Sequence, residues 1–314
     1  MTPKAKIILL AAASAVVVTI YLFLDLGGSW DYAFPRRIAK VLAIILTGGA
    51  IALSTTVFQT ITNNRILTPG IMGLDSLYLL IQTIVIFLVG STTLTMMNNH
   101  IHFLMTVGIM VLFSGVLYKV MFQGGRNVYF LLLIGIIFGT LFQSLSSFMQ
   151  ILIDPNEFQI VQDKMFASFN NINTELLWIA GALILAVTLY FLRFAKYLDV
   201  LSLGRDQAVN LGVDYDYVVK QFLIIIAVLV SISTALVGPI TFLGLLVVNV
   251  TYEFMKTYRH RYLLTGSLLI SIITLVGGQL IVEKVFTFTT TLSVIINFVG
   301  GVYFIYLLLK GSRT

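Results

Sequence analysis

The chain has 314 residues, of which 59% are hydrophobic and only 10% charged, and its mean hydropathy is +1.01. This composition excludes an ordinary soluble globular domain, and the lack of short segments with alternating polarity excludes a transmembrane β-barrel. The absence of cysteine excludes disulfides, thiolate metal sites and cysteine nucleophiles.

Ten apolar stretches are long enough to be considered as membrane-crossing helices. They lie at 5–24, 37–60, 69–90, 100–122, 128–153, 174–195, 216–237, 239–255, 261–282 and 289–310. The first follows Lys4 and Lys6 but lacks a convincing small-residue cleavage site, so we expect a retained helix and not a signal peptide. The sequence therefore predicts an all-α polytopic membrane protein, with residues 1–314 forming a single transmembrane domain.

Basic residues are unevenly distributed between the connections of these spans. If the N-terminus is cytoplasmic, fourteen of the 19 Lys and Arg residues lie on the cytoplasmic side, in agreement with the positive-inside rule. The five on the opposite side are Arg36, Arg37, Lys40, Lys164 and Lys284. Because a missed span would reverse the assignment of every later loop, this bias supports the count and places both termini in the cytoplasm. It also accounts for the net charge of +6 without a nucleic-acid partner.

Small residues recur inside the spans, where they let membrane helices approach closely. The clearest groups are Gly48 to Ala50, Gly135 with Gly139, and Gly300 with Gly301. We interpret all three groups as helix-packing positions.

Few polar residues lie within the spans. Asp75 is the only carboxylate well inside an apolar stretch, so it faces the bundle or water, as a structural hydrogen-bonding residue or as an ion-coupling group. Gln59, Asn249 and Asn297 are further polar positions, and Asn297 either lines a pathway or bonds to another helix.

No Walker A loop, HExxH motif or paired-carboxylate site occurs, so the chain is not expected to hydrolyse ATP or to act as an intramembrane enzyme. His100 and His102 are two residues apart and do not share a helix face, so we expect no metal site there. His260 lies in the basic segment 258–262, where we expect it to be solvated or to face a partner.

A polar segment, Leu198 to Asp214, lies between two long apolar stretches. The apolar residues within it are spaced for a short amphipathic helix that docks in the groove of a soluble partner, whereas an ordinary solvated loop would not require such spacing. The residues concerned are Leu201, Leu203, Ala208 and Leu211.

Taken in order and spacing, several motifs resemble the permease family of ATP-binding-cassette importers for iron-siderophores, haem and cobalamin. The resemblance extends from Phe34 to Lys310. It rests on Pro35-Arg36, Phe58-Gln59, Asn64 to Pro69, Met72-Gly73, Leu203-Gly204, Ala208, Leu211-Gly212, Gly238 to Leu245 and His260 to Leu264. The sequence departs from the family pattern at Arg65 (usually Pro), Asn249 (His), Tyr252 (Arg), Arg205 (Glu) and Arg259 (Asp). Residues 253–264 are most similar to permeases for catecholate-type siderophores such as petrobactin.

The resemblance implies the type II importer permease fold and import of an iron-siderophore by alternating access across the bacterial cytoplasmic membrane. A haem or cobalamin permease of the same family is the alternative, and an ion-coupled secondary transporter is the alternative from another class. The implied partners are a second, related permease chain, two ATPase subunits that hold ATP and Mg²⁺, a substrate-binding lipoprotein and membrane lipid. No cofactor or metal is expected on this chain.

The resemblance also assigns candidate site residues. ATPase coupling is expected within residues 196–216, at Leu201, Leu203, Gly204, Arg205, Asp206, Ala208, Leu211 and Gly212. Docking of the binding protein is expected at Arg36, Arg37 and Lys40, although a lipid-headgroup anchor is the alternative for this cluster. The inner gate is expected at Asn64, Ile66, Gly124 and Gly125, and the pathway at Gln59 and Asn297.

Overall fold

A computed structural model describes residues 1–24, 30–90, 98–122, 128–170 and 172–311. Within these ranges the chain forms thirteen α-helices and two short 3-10 turns, at Pro69–Met72 and Ala195–Tyr197. The helices are α1 (Pro3–Phe23), α2 (Trp30–Thr62), α3 (Leu74–Val89), α4 (Asn99–Phe122), α5 (Val128–Leu152), α6 (Pro155–Met165), α7 (Thr174–Leu192), α8 (Leu198–Leu201), α9 (Arg205–Asn210), α10 (Tyr215–Val237), α11 (Leu243–Met255), α12 (His260–Lys284) and α13 (Leu292–Gly311).

All ten predicted spans correspond to helices, and the predicted all-α fold is confirmed. Among the described residues, seven helices are long and apolar enough to cross a membrane, namely α1, α2, α4, α5, α7, α10 and α12. Shorter apolar helices, α3, α11 and the described part of α13, complete the set. The amphipathic α6 and the short α8 and α9 lie in the connections between spans.

Helices α2 and α10 form the centre of the bundle. In their most apolar windows, 67% and 72% of the residues are buried within the protein, against 17% in α1 and α5. Helix α2 packs against α12, α10 and α11, and α10 packs against α4 and α7. The outer helices therefore surround two long central ones, and the exposed apolar side chains of the outer helices face lipid or another membrane protein.

Two spans begin with backbone that is not α-helical. The stretches predicted at 69–90 and 239–255 become α-helical only at Leu74 and Leu243. At 1.5 Å per residue, α3 and α11 are about 24 and 20 Å long, which is shorter than a hydrocarbon core. Irregular backbone inside a bundle is tolerated only where protein or a water-filled cavity covers its polar groups. Both breaks are accordingly packed against other parts of the chain.

The first break rests on small residues of α5. A Cβ on Gly135 would lie 2.7 Å from the carbonyl oxygen of Ile71 and 2.8 Å from the Cα of Met72. Gly73, in the left-handed conformation at φ +78°, lies against Gly139 in the same way. The second break begins at Gly238, where φ is +96° and a Cβ would lie 3.0 Å from the Cα of Ala167.

The other glycine groups have different surroundings. Gly48 and Gly49 of α2 adjoin Leu275 and Leu268 of α12, so they also let two helices approach. A Cβ on Gly300 would contact Phe242, whereas one on Gly301 would meet nothing within 4 Å. Close packing therefore explains every predicted glycine except Gly301.

Replacing Gly135 by Ala is expected to destabilise the protein by about 2 kcal/mol, because the added methyl group meets backbone atoms that cannot move aside. The matched control is Gly108→Ala on α4, where a Cβ would meet nothing within 4 Å. Thermal unfolding of both variants in detergent measures the difference. Equal stability of the two variants would contradict the packing role of Gly135.

Candidate functional site

Polar side chains gather at the two ends of the bundle, which we call the Asp199 end and the Glu283 end. The Asp199 end contains the start of α1, the end of α11 and the start of α12, and Lys6 donates there to the carbonyl oxygens of Phe254 (2.6 Å) and Met255 (3.1 Å). The Glu283 end contains the end of α1, the first turns of α2 and the end of α12. The predicted coupling and docking residues lie at opposite ends.

The predicted coupling segment folds into two short helices at the Asp199 end. Helix α8 stops before Gly204, whose φ of +96° turns the chain into α9, and Gly212 at φ +81° ends that helix. The Asp214 carboxylate then accepts a hydrogen bond from the backbone N–H of Tyr217 and caps α10. The two glycines permit a compact helix–turn–helix shape that side chains with a Cβ would strain.

The apolar residues of this segment point in two directions. Leu201 and Ala208 are completely or almost completely buried within the protein itself, with Leu198 beside them. Leu203 and Leu211 are 56% and 63% exposed. Leu201 and Ala208 are therefore not accessible to a partner in this conformation, so the four residues do not form one contact surface. The two inward residues fix α8 and α9 to the bundle, and the two outward ones are available to a partner.

Charged residues of the segment are solvent-exposed. Arg205 lies 3.4 Å from Asp216 of α10, with side chains 60% and 64% exposed, and Asp206 is also exposed. An ion pair so exposed contributes little to stability, typically below about 1 kcal/mol. These three residues are therefore accessible to a partner without any change in the core.

A buried histidine connects the coupling segment to the centre of the bundle. His260 is only 4% exposed, so the expectation of a solvated histidine is wrong. Its Nδ1 lies 2.7 Å from a carboxylate oxygen of Asp199, which also accepts the backbone N–H of His260 at 2.9 Å. Its Nε2 lies 2.9 Å from the hydroxyl of Thr60. Helices α8, α12 and α2 thus meet at one imidazole.

Neither Asp199 nor Thr60 stands out in the sequence. Asp199 belongs to the polar segment 198–214, but the sequence does not indicate its contact with His260, which lies 61 residues later. The arrangement connects α8, through polar contacts, to the end of central helix α2.

Two of the predicted gate residues, Asn64 and Ile66, lie in a tight turn after α2. The Asn64 side chain accepts the backbone N–H of Ile66 at 2.9 Å. The carbonyl oxygen of Arg65 accepts hydrogen bonds from the side-chain amides of Gln59 (2.7 Å) and Asn249 (2.9 Å). Gln59 is 2% exposed, so in this conformation it holds the turn and does not line an open passage. Gly124 and Gly125 lie outside the described residues.

Three departures from the family pattern meet at this turn. The guanidinium of Arg65 lies 4.6 Å from the centre of the Tyr252 ring, and Asn249 bonds the carbonyl of Arg65 from the same helix, α11. The Arg65 guanidinium over the aromatic face of Tyr252 and the hydrogen bond from Asn249 both hold this turn against α11. Arg65 therefore contacts Asn249 and Tyr252 in the fold, although both lie far from it in the sequence.

The two polar candidates deep in the bundle also have partners. Asp75 lies in the first turn of α3, where the helix dipole favours a carboxylate, and the hydroxyl of Thr241 bonds to it. Asn297 of α13 accepts the backbone N–H of Phe242, at the start of α11, at 3.4 Å. Both contacts hold the ends of the two short helices, which matches the structural alternatives for these residues.

The three predicted docking residues differ in their accessibility. Arg37 donates to the carbonyl oxygens of Tyr21 (2.9 Å) and Leu24 (2.7 Å) at the end of α1. Lys40 is 15% exposed and binds the Glu283 carboxylate at 2.8 Å. Arg36 is exposed, and its guanidinium lies 4.1 Å from the centre of the Tyr32 ring. Of the three, only Arg36 presents its charge outward.

The remaining histidines lie near the start of α4. His100 Nε2 is 2.9 Å from a carboxylate oxygen of the exposed Glu175. Among the described residues, no group of three or more His, Asp or Glu side chains is arranged to hold a metal ion.

The helical bundle, its two polar ends and its irregular inner breaks define a polytopic membrane permease. The chain belongs to the FecCD transport family, whose pattern it matches over residues 7–310. It is 68% identical to the petrobactin import system permease protein YclO of Bacillus subtilis over 315 residues, which cover both chains completely.

More distant relatives and a solved structure agree with this assignment. The petrobactin import system permease proteins FatC and FatD of Bacillus anthracis are 39% and 30% identical, covering 88% and 89% of this chain and 78% and 82% of theirs. A metal-chelate type ABC transporter solved in an inward-facing conformation superposes with a TM-score of 0.84 over 98% of this chain and 100% of its own, at 22% identity. That likeness supports the predicted permease fold.

Proposed function

We propose that this chain is the transmembrane permease subunit of an ATP-driven importer that moves an iron-siderophore of the petrobactin type across the cytoplasmic membrane. The observation that carries the proposal is the full-length match, at 68% identity, to a permease named for petrobactin import. An iron chelate brings its own ligands, so the chain needs no metal site of its own. Residues 1–314 then act as one transmembrane domain, with 196–216 as its coupling loop.

The test is uptake of ⁵⁵Fe-petrobactin by cells in which the gene for this chain is deleted and then restored. Restored uptake that stops when ATP is depleted supports the proposal. Uptake of haem or cobalamin in place of the siderophore would assign the alternative substrates. Uptake that persists without ATP would instead indicate an ion-coupled carrier.

Transport in this proposal is driven by separate ATPase subunits, which bind ATP and Mg²⁺ and contact α8 and α9. Closure of the ATPase pair would move these helices as a lever, because Leu201 and Ala208 anchor them to the bundle. The Asp199–His260–Thr60 contacts supply the connection from that lever to α2 and α12. Alternating access then results from two rigid arrangements of the helices.

The membrane orientation follows from the distribution of charge. We place both termini and the Asp199 end in the cytoplasm, since most of the basic residues belong to the connections there. The Glu283 end then faces outward, where a substrate-binding lipoprotein delivers its ligand. This orientation brings the exposed Leu203 and Leu211 to the ATPase side.

A second permease chain completes the pathway in this proposal. The exposed apolar side chains of α5 and α13 include Ile136, Leu145, Phe298 and Val302, and they suit a membrane-embedded contact. The existence of two petrobactin import permeases in Bacillus anthracis, FatC and FatD, supports a partner that is related but different.

Replacing Arg36 by Glu is expected to weaken docking of the binding protein about 10-fold at low salt, because charge reversal at an interface rim mainly slows encounter. The matched control is Lys164→Glu, an exposed charge reversal on α6. Arg37 is unsuitable for this test because it holds the end of α1. Binding is measured by titrating the lipoprotein onto the purified permease. If the Arg36 and Lys164 variants bound the lipoprotein with equal affinity, Arg36 would not be a docking residue, and the lipid-headgroup anchor would be the better interpretation.

A further inference from the structure

A deep groove separates α7 from α12 and exposes part of central helix α2. Its volume is about 750 Å³, within the range of small-molecule and cofactor sites. Leu46, Gly49 and Leu53 of α2 form the floor, and Leu185 of α7 and Leu268 of α12 belong to the walls. The stretch of α2 that lines it, residues 45–53, spans about 12 Å along the helix axis.

Charge is concentrated at one end of this groove. Lys196 and Arg261 line it at the Asp199 end, and both residues are exposed. Neither charged group takes part in a described ion pair or hydrogen bond, and the Lys196 ammonium lies 5.0 Å from the ring of Tyr197. The carboxylate that lines the groove, Asp199, accepts two hydrogen bonds from His260 on one of its oxygens. Against this one carboxylate, the two cations leave the Asp199 end of the groove with a net positive charge, which favours an anionic ligand.

The groove lies on the lateral surface of the bundle. Leu185 is 60% exposed and Leu268 37%, on helices that are long and apolar enough to span a membrane. An occupant must therefore be apolar along the groove and negatively charged at the Asp199 end. A soluble anion would leave the apolar part unfilled, and a wholly apolar helix would leave the cations without a counter-charge.

We propose that this groove binds one anionic phospholipid, with an acyl chain along α2 and its phosphate between Lys196 and Arg261. Basic pockets between transmembrane helices commonly bind anionic headgroups in this way. The bound phosphate would lie beside Asp199 and His260, next to α8. Lipid binding would thus hold α7, α12 and the coupling helices in one arrangement.

The test counts lipids on the purified full chain by native mass spectrometry. The chain in mild detergent is titrated with phosphatidylglycerol or with phosphatidylcholine of the same acyl chains. We expect tighter binding of phosphatidylglycerol, and about 30-fold weaker binding after Lys196→Gln with Arg261→Gln, from two lost cation contacts. The matched control is Lys4→Gln with Lys220→Gln, which removes two exposed cations outside the groove and should leave binding unchanged.

A second variant tests the apolar part of the groove. Thr188→Trp fills the space between α7 and α2 without changing the charge, and should abolish the bound phosphatidylglycerol. A photo-crosslinker at Leu185 should label lipid in native membranes. Equal binding of the two lipids, unchanged binding in the double Gln variant, or crosslinking of Leu185 to a protein chain would each overturn the proposal.

Discussion

Replacing Leu203 and Leu211 together by Asp is expected to reduce ATP-driven iron-siderophore uptake about 30-fold at limiting ATPase levels. Both leucines are more than half exposed at the Asp199 end, so the substitutions do not disturb the core. In a groove contact, two lost apolar anchors cost about 2 kcal/mol or more of binding free energy, which corresponds to about 30-fold in affinity. Uptake of ⁵⁵Fe-petrobactin and retention of the ATPase on the purified permease measure the two consequences.

The matched control for this experiment is Tyr258→Asp. Tyr258 is 76% exposed at the same end, but it lies in the connection before α12 and outside the coupling helices. The control variant should retain both uptake and the ATPase. Normal uptake in the double Leu variant would contradict the assignment of α8 and α9 as the coupling element. Loss of uptake with the ATPase still bound would place the defect in movement and not in assembly.

The architecture followed from hydrophobicity because the membrane imposes length and polarity on every span. All ten predicted stretches are helices, but three begin well away from the predicted position: α2 begins seven residues earlier than predicted, at Trp30, whereas α3 and α11 begin five and four residues later, at Leu74 and Leu243. The hydrophobicity of a stretch cannot distinguish an α-helix from a buried turn of the same composition. The close approach of Gly135 to Ile71 in the fold shows which part of the chain packs against the turn before α3.

The candidate site was less predictable, because side-chain partners lie far apart in the chain. Leu201 and Leu203 are two residues apart and equally apolar, yet one is buried and the other exposed. The buried His260 is hydrogen-bonded to Asp199, a residue that the sequence does not connect to it. Family motifs indicated residues 196–216 as the candidate segment, whereas the fold was needed to show which of its apolar residues are buried and which are exposed.

Replacing Lys40 by Met is expected to destabilise the protein by about 3 kcal/mol, because it leaves a buried carboxylate without its cation. The Glu283 carboxylate is 8% exposed and accepts hydrogen bonds from Lys40 (2.8 Å), Tyr21 (2.7 Å) and Gln279 (3.0 Å). Without Lys40 the buried negative charge would keep its two neutral donors but lose its cation. This contact joins α1, α2 and α12, so its loss would loosen the Glu283 end of the bundle.

Two further variants test whether the effect comes from breaking the buried Lys40–Glu283 pair or from removing a cation in general. Adding Glu283→Gln to Lys40→Met should recover most of the stability, because no uncompensated charge then remains in the interior. Arg36→Met removes an exposed cation four residues earlier on the same helix, and should cost less than about 1 kcal/mol. Thermal unfolding of the purified chain in detergent ranks the three variants. If Lys40→Met proved as mild as Arg36→Met, the Lys40–Glu283 pair would be a surface contact and not a buried clamp.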